Sequence, residues 1–350
     1  MSGKRHHYLP QFLLSGFSHR RTGKDSYCWV YRRNQKPHES NIKNVGVEGY
    51  FYGKPETSKV DDIITQEEGE YAVQIQLMRN KGSLSAFTDT EISQLVVHLA
   101  LRTRHVRKTF SSAVDQLVAE ISEVMSDPDN VKRLMLNSIR NKPEILRESM
   151  IDELEERGIR GQLTPDQERR FLDFVQTIAP IIIEQSPETD NSMLLQALDL
   201  MKEKIPETMK SGHIRALGES SSPQQRVEHL SQLDWQVLVF PKHSIILGDV
   251  GAWAIKYGES EPTAFTWAGN NIELVVLPIS HSHVLVGKTR SREFTLEAQY
   301  VNDVSASLSL DYFVSSRANA NRQQLVETIG IKAMETINES IRDATDGLID

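Results

Sequence analysis

Residues 218–225 read GESSSPQQ, and the apolar period differs on their two sides. From about 127 to 218 the text is helical and polar. NKPEILRESMIDELEERG occupies 141–158, TPDQERRFLDFVQTIAPIIIEQ occupies 164–185, and SMLLQALDLMKEKI occupies 192–205. After the serine-rich break, short apolar and alternating runs follow: DWQVLVF, SIILGD, AFTWA, IELVVLPI, SHVLVG and LDYFVSS. Their length and β-branched content predict strands. Grouped helices followed by grouped strands predict an α+β fold with a late, mostly antiparallel sheet.

Working outward, residues 8–17 have Leu9, Phe12, Leu13 and Phe17 at helical spacing, with Pro10 suited to the first helical position and Gly16 to the stop. SYCWVYRR at 26–33 reads as a strand. A helix follows through VDDIITQEEGEYAVQIQLMR. The strongest periodic segment is 88–124, read as one helix opened by the Thr88/Glu91 capping box, with Ile92, Leu95, Leu99, Val106 and Phe110 on one stripe. The tail 321–344 returns to a helical pattern. The expected domains are 1–124 and 226–350 packed together, with a helical lobe at 125–220.

The 350 residues include one cysteine, Cys28, so no internal disulfide forms, and a reducing cytoplasm is the expected location. No apolar run approaches the roughly 20 residues that cross a bilayer, and FLL is too short for a signal-peptide core. The formal charge is −8, yet residues 1–45 carry nine Lys/Arg against Asp25 and Glu39, a local net of +7. Such a segment attracts a phosphate backbone or docks on the protein's own acidic surface.

The histidines carry the chemistry. His6 and His7 are adjacent, so both cannot point into one core. His98, Arg102 and His105 are spaced four and three apart and would share a helix face, as an oxyanion site requires. Interhelical salt bridges are the other reading of that stripe. Glu67, Glu68 and Glu70 follow Asp61 and Asp62 on a helix; an acidic helix start is ordinarily a dipole complement. Asp249 ends a strand before a glycine-bearing turn, a position suited to catalysis or to turn capping. GxxxxGK[ST], GxSxG and a strand-linked GxGxxG are absent from the sequence, which disfavours P-loop hydrolysis, serine hydrolysis and dinucleotide binding, and the absence of HExxH and of a Cys/His cluster disfavours a structural zinc site.

HHYLPQFLLSGF at 6–17 resembles the opening signature of the bacterial domain-of-unknown-function family 4238. The resemblance continues through VGVEGYFYG, QEEGEYA, LALRTRHVRK, DWQVLVFPKHSIILGD, VLPIS and YVNDVSASLSLDYFVSS, in that order. Gly248, Val250 and Gly251 depart from the family pattern around Asp249. The resemblance implies a shared site, with mobile-element and defence settings as context, but carries no reaction.

Two functions are expected from these residues. One is a phosphodiesterase or nuclease-like hydrolase, with His6, His7, Glu68 and Asp249 catalytic. Arg102, His98, His105 and Arg5 would bind phosphate, and a divalent metal such as Mg would be the cofactor. Its geometric requirement is that His7, Glu68 and Arg102 converge. The alternative is a non-catalytic module for nucleic acid, nucleotide or protein, using exposed Arg20, Arg21, Arg32 and Arg33, or a protein partner docked on the helical lobe.

Overall fold

A computed structural model describes residues 5–53, 60–185, 192–290, 294–333 and 335. The chain divides into two compact units, one of residues 1–113 with 206–344 and one of 114–205 with 345–350. The fold is α+β.

The elements in order are β1 Arg5–His7, α1 Gln11–Leu14, β2 Arg20–Thr22, β3 Asp25–Arg32, β4 His38–Asn41, β5 Val47–Gly49, α2 Val60–Lys81, α3 Asp89–Leu101 and α4 Arg104–Ser126. The helices α5 Pro128–Asn141, α6 Pro143–Glu156, α7 Pro165–Gln185 and α8 Ser192–Glu219 follow. Then come α9 Gln224–Leu230, β6 Asp234–Val239, β7 Leu247–Gly248, β8 Trp253–Lys256, β9 Pro262–Ala264, β10 Ile272–Pro278, β11 His283–Lys288, α10 Ala298–Ser307, β12 Tyr312–Ser315 and α11 Ala320–Leu325.

The first unit holds three antiparallel sheets. β1 pairs with β5. The order β6-β11-β10-β8-β9 makes the second sheet, and β2-β3-β12-β7, with β4 on β3, makes the third. The early strand β3 is therefore completed by a late one, Val30 opposite Val314, because a lone strand leaves its backbone groups unpaired. β10 is buried along its whole length, as a strand in a sheet covered on both faces must be. α3 packs on α9 and β6, while Trp253 of β8 meets Tyr300 of α10 edge to face at 6.1 Å.

Several sequence expectations change. The run 88–124 is two helices, α3 and α4, interrupted at Arg102 (φ −85°, ψ 0°) and Thr103. Thr103 Oγ1 donates back to the Ala100 carbonyl, and the Arg102 side chain turns inward to buried acceptors. Pro10 is the residue before α1 rather than its first, and a 3₁₀ turn, Ser15–Phe17, completes that segment. AFTWA is the end of β9 and a 3₁₀ turn, Phe265–Trp267. β8 and α10 were not anticipated; α10 buries Asn302, Ser305 and Ser307 along with Val301 and Val304, which hides its apolar period. The expected tail helix beyond 335 lies outside the described residues.

In the second unit, α5, α6 and α7 pack on one another. The Thr164/Gln167 capping box forms, with Gln167 N donating to Thr164 Oγ1 at 3.3 Å and Thr164 N to Gln167 Oε1 at 2.9 Å. Its described buried apolar residues include Val118, Val131, Leu154, Leu172 and Leu198, whereas Phe174, Ile181, Ile182 and Leu200 are exposed. Among the described residues no helix is long and apolar enough to cross a membrane.

Candidate functional site

His6 and His7 lie on β1, just ahead of α1. Successive strand residues face opposite ways, so the pair divides. His6 is buried, stacks on Tyr52 at 5.3 Å and 14°, and accepts the Tyr52 backbone N–H at Nδ1 (2.9 Å). Its Nε2 lies 3.9 Å from Asp61 Oδ2. His6 thus ties β1 to the turn after β5.

His7 is only half buried. Gln11 Nε2 lies 3.2 Å from His7 Nε2 and donates to it. Burial pushes this imidazole below its ordinary pKa of 6.5, with the Glu68 charge opposing and the Arg102 charge assisting. The strand is placed by Gly46, whose carbonyl accepts from Tyr8 N at 2.8 Å. Gly46 has φ +63°, and a Cβ there would stand 2.7 Å from Leu9 Cβ, so glycine is required twice over.

Arg102 is the centre of the cluster and is 1% exposed. Its Nε donates to Tyr52 Oη (2.8 Å), Nη1 to His98 Nε2 (3.1 Å) and Glu68 Oε1 (2.5 Å), and Nη2 to the His7 carbonyl (2.6 Å). Tyr52 Oη in turn donates to the same His7 carbonyl at 2.9 Å. Burial opposes the arginine's charge, but Tyr52 and Glu68 outweigh it and hold its pKa up. A guanidinium has five N–H groups, so at most one remains for a ligand. Arg102 therefore clamps Glu68 and the His7 backbone and has little left with which to bind phosphate.

His98 completes the inner side. With Arg102 donating to Nε2, the ring is neutral and its proton sits on Nδ1, 3.1 Å from Glu67 Oε2. Burial lowers the His98 pKa, against the Glu67 hydrogen bond. Burial alone would raise Glu67, but hydrogen bonds from His98 and Ser221 leave it below the usual carboxylate range. Ser221 Oγ reaches Glu67 Oε2 at 2.6 Å, which places the serine-rich stretch after α8 against α2. Burial also pushes the Tyr52 phenol up to about 12, so it remains a donor.

The structure thus brings His6, His7, Glu68, His98 and Arg102 together and leaves three expected site residues elsewhere. His105 follows the helix break, is buried, and has Nε2 3.1 Å from the Leu308 carbonyl; burial drives it down to about 4. It does not share a phosphate face with His98 and Arg102. Arg5 is exposed, with Nη2 3.2 Å from Asn44 Oδ1. Asp249 accepts N–H bonds from Leu310 and Asp311, both 2.8 Å, and from Tyr312 at 3.4 Å. It is a backbone clamp between β7 and β12, not an acid beside His7. Tyr52 and Ser221 are members the sequence reasoning missed; their signals were GYFYG and the serine run.

Among the described residues no group of three or more His, Cys, Asp or Glu side chains is placed to hold a metal ion. Of the basic residues expected to form an exposed surface, Arg20 is paired with Glu39 at 2.5 Å and lies over the Tyr27 ring, and Arg32 lies over the Tyr312 ring. Arg21 and Arg33 are exposed.

No curated protein and no solved structure matches the chain. A family model described as "Protein of unknown function (DUF4238)" covers residues 5–346, and on that nearly full-length match, over the segments that build this cluster, the chain belongs to that family.

Proposed function

We propose that the protein is an acid–base hydrolase of phosphodiesters, with His7 as the proton-transferring group and Glu68 beside it. One observation carries this reading. A half-buried imidazole, kept neutral by burial, lies within the electrostatic reach of a carboxylate that a fully buried arginine holds. A neutral imidazole near pH 7 can take a proton from an attacking water and return it to a leaving group. The Gln11 N–H occupies the His7 lone pair that a reacting proton donor would take over. Arg102, Tyr52 and His98 act behind these groups and hold them at fixed positions. The phosphodiester class is supported by the local net charge of +7 over residues 1–45, where Arg21, Lys24 and Lys36 are exposed.

Hydrolysis of bis(p-nitrophenyl) phosphate by the full chain, with and without Mg²⁺, tests the reading. His7→Ala is expected to lower turnover about 100-fold or more, with an unchanged circular dichroism spectrum. Equal turnover by parent and His7→Ala, or none by the parent, overturns it. The exposed Arg21, Lys24, Arg33 and Lys36 favour the second reading, a nucleic-acid-binding module. That reading requires oligonucleotide binding that weakens steeply with salt and is indifferent to His7.

A further inference from the structure

The first unit holds a second histidine cluster that the reading above does not use. It is built from three loops: Lys242 and His243 between β6 and β7, Ser280–His283 at the β10–β11 turn, and Ser316–Arg317 after β12. The His243 and His281 rings stack at 4.5 Å and 23°. His243 N donates to His281 Nδ1 at 3.2 Å, which fixes the His281 proton on Nε2. His243 Nδ1 lies 2.8 Å from Ser316 Oγ. Ser280 and Ser282 hydroxyls both lie 3.0 Å from His283 Nδ1.

This arrangement is held against resistance. His243 has φ +64°, an uncommon backbone state for a residue with a Cβ. Its loop is laced to the β10–β11 turn on both sides, by Phe240 N to Ser282 O at 2.8 Å and Ile245 N to His281 O at 3.0 Å. The buried Arg322 grips the carbonyls of the strained residue and of the next one, His243 O at 3.3 Å and Ser244 O at 2.5 Å. Strain that several contacts over-determine is characteristic of a functional position.

The charges facing the two rings are alike. Lys242 and Arg317 act on His243; Lys242 and the neighbouring histidines act on His281; Arg322 lies behind the loop. Burial and these cations together keep both imidazoles below their ordinary pKa. Two stacked rings, a serine hydroxyl and two exposed cations converging without a carboxylate among those charges form a set of donors that an anion would complete.

We propose that His243, His281, Ser316, Lys242 and Arg317 form a binding site for a phosphate group, whether free or carried on a nucleotide. The site is separate from His7 and does not depend on the hydrolase reading. Bound phosphate would accept from Nε2–H of both rings, with His243 protonated so that its Nδ1–H donates to Ser316 Oγ and leaves the serine hydroxyl free to donate to the phosphate, and would relieve the repulsion between the rings and their cationic neighbours.

Imidazole NMR titration of the full chain with inorganic phosphate, and then with a nucleoside monophosphate, tests this. The resonances of His243 and His281 are expected to move saturably and their titration midpoints to rise, while those of the exposed His38 stay put. His281→Asn, and separately Ser316→Ala, should weaken phosphate binding at least about 10-fold, the loss of one charge-assisted hydrogen bond. His243→Asn, which tolerates the left-handed backbone, should do the same while retaining the parent's far-ultraviolet spectrum. Tighter binding of the monophosphate than of inorganic phosphate would assign the nucleotide as the source, and equal binding would assign the free ion. Phosphate that leaves both histidines unmoved, variants that bind it as the parent does, or a response to Zn²⁺ in place of phosphate would each overturn the proposal.

Discussion

His6 and His7 differ by one position and should answer mutation in opposite ways. His6→Ala removes a stacked, hydrogen-bonded ring from the interior and is expected to cost about 1–3 kcal/mol in urea unfolding. His7→Ala removes a half-buried ring and should leave the midpoint nearly unchanged, with the loss of about 100-fold in turnover that the proposed function requires. Asp249 offers a test by pH. Burial, named first among its causes, raises its folded pKa to about 6 from an ordinary 3.8. A carboxyl raised on folding stabilises at low pH, and that contribution is lost as pH rises through about 4 to 6. The stability of the parent relative to Asp249→Asn should therefore fall across that interval and stay level above it, as urea unfolding at a series of pH values will show. A difference curve that rises across the interval would sink this account.

At the scale of elements, arginines do the joining. Arg79 of α2 is half-buried, and its Nε donates to Ile279 O at 2.7 Å, Nη1 to Phe12 O at 2.9 Å and Nη2 to Leu13 O at 2.9 Å. It therefore satisfies carbonyls at the end of α1 and at the end of β10, with burial lowering its pKa to about 10. Arg79→Met should cost about 2–4 kcal/mol, since three carbonyls lose a charged donor at once. The same change at the exposed Arg21 should cost under about 0.5 kcal/mol. Chemical denaturation of the two variants side by side decides this. The interruption between α3 and α4 has a similar origin. Arg102 ends α3 because its guanidinium is worth more among Tyr52, His98, Glu68 and the His7 carbonyl than on a solvent-facing turn.

For the whole molecule, the two units differ in how much apolar surface they bury. The sheet strands β10 and β11 are almost wholly buried, while α7 exposes Phe174, Ile181 and Ile182. Opening free energy follows buried contacts, so amides of 128–185 should exchange with deuterium well before those of 272–288. Exchange at equal rates in the two segments would contradict that reading.

What the sequence determined by itself was local. Capping boxes at Thr88 and Thr164, the strand character of 26–33, 272–279 and 282–287, and the change of period after GESSSPQQ all follow from neighbours a few residues apart, where backbone and side-chain preferences act directly. The convergence of the early histidines with Glu68 and Arg102 was readable only as a requirement, from residue types and order. Tertiary structure decided the rest. Which of His6 and His7 turned inward depended on β1 finding β5. The face of His105 depended on a helix break created by acceptors for Arg102 on β1 and α2. Asp249 became a backbone clamp because Leu310–Tyr312 arrived beside it. His243 met His281 because two loops were laced together across 38 residues of chain. These outcomes turn on contacts between distant segments, whose energies exceed local preference but leave no periodic trace in the text.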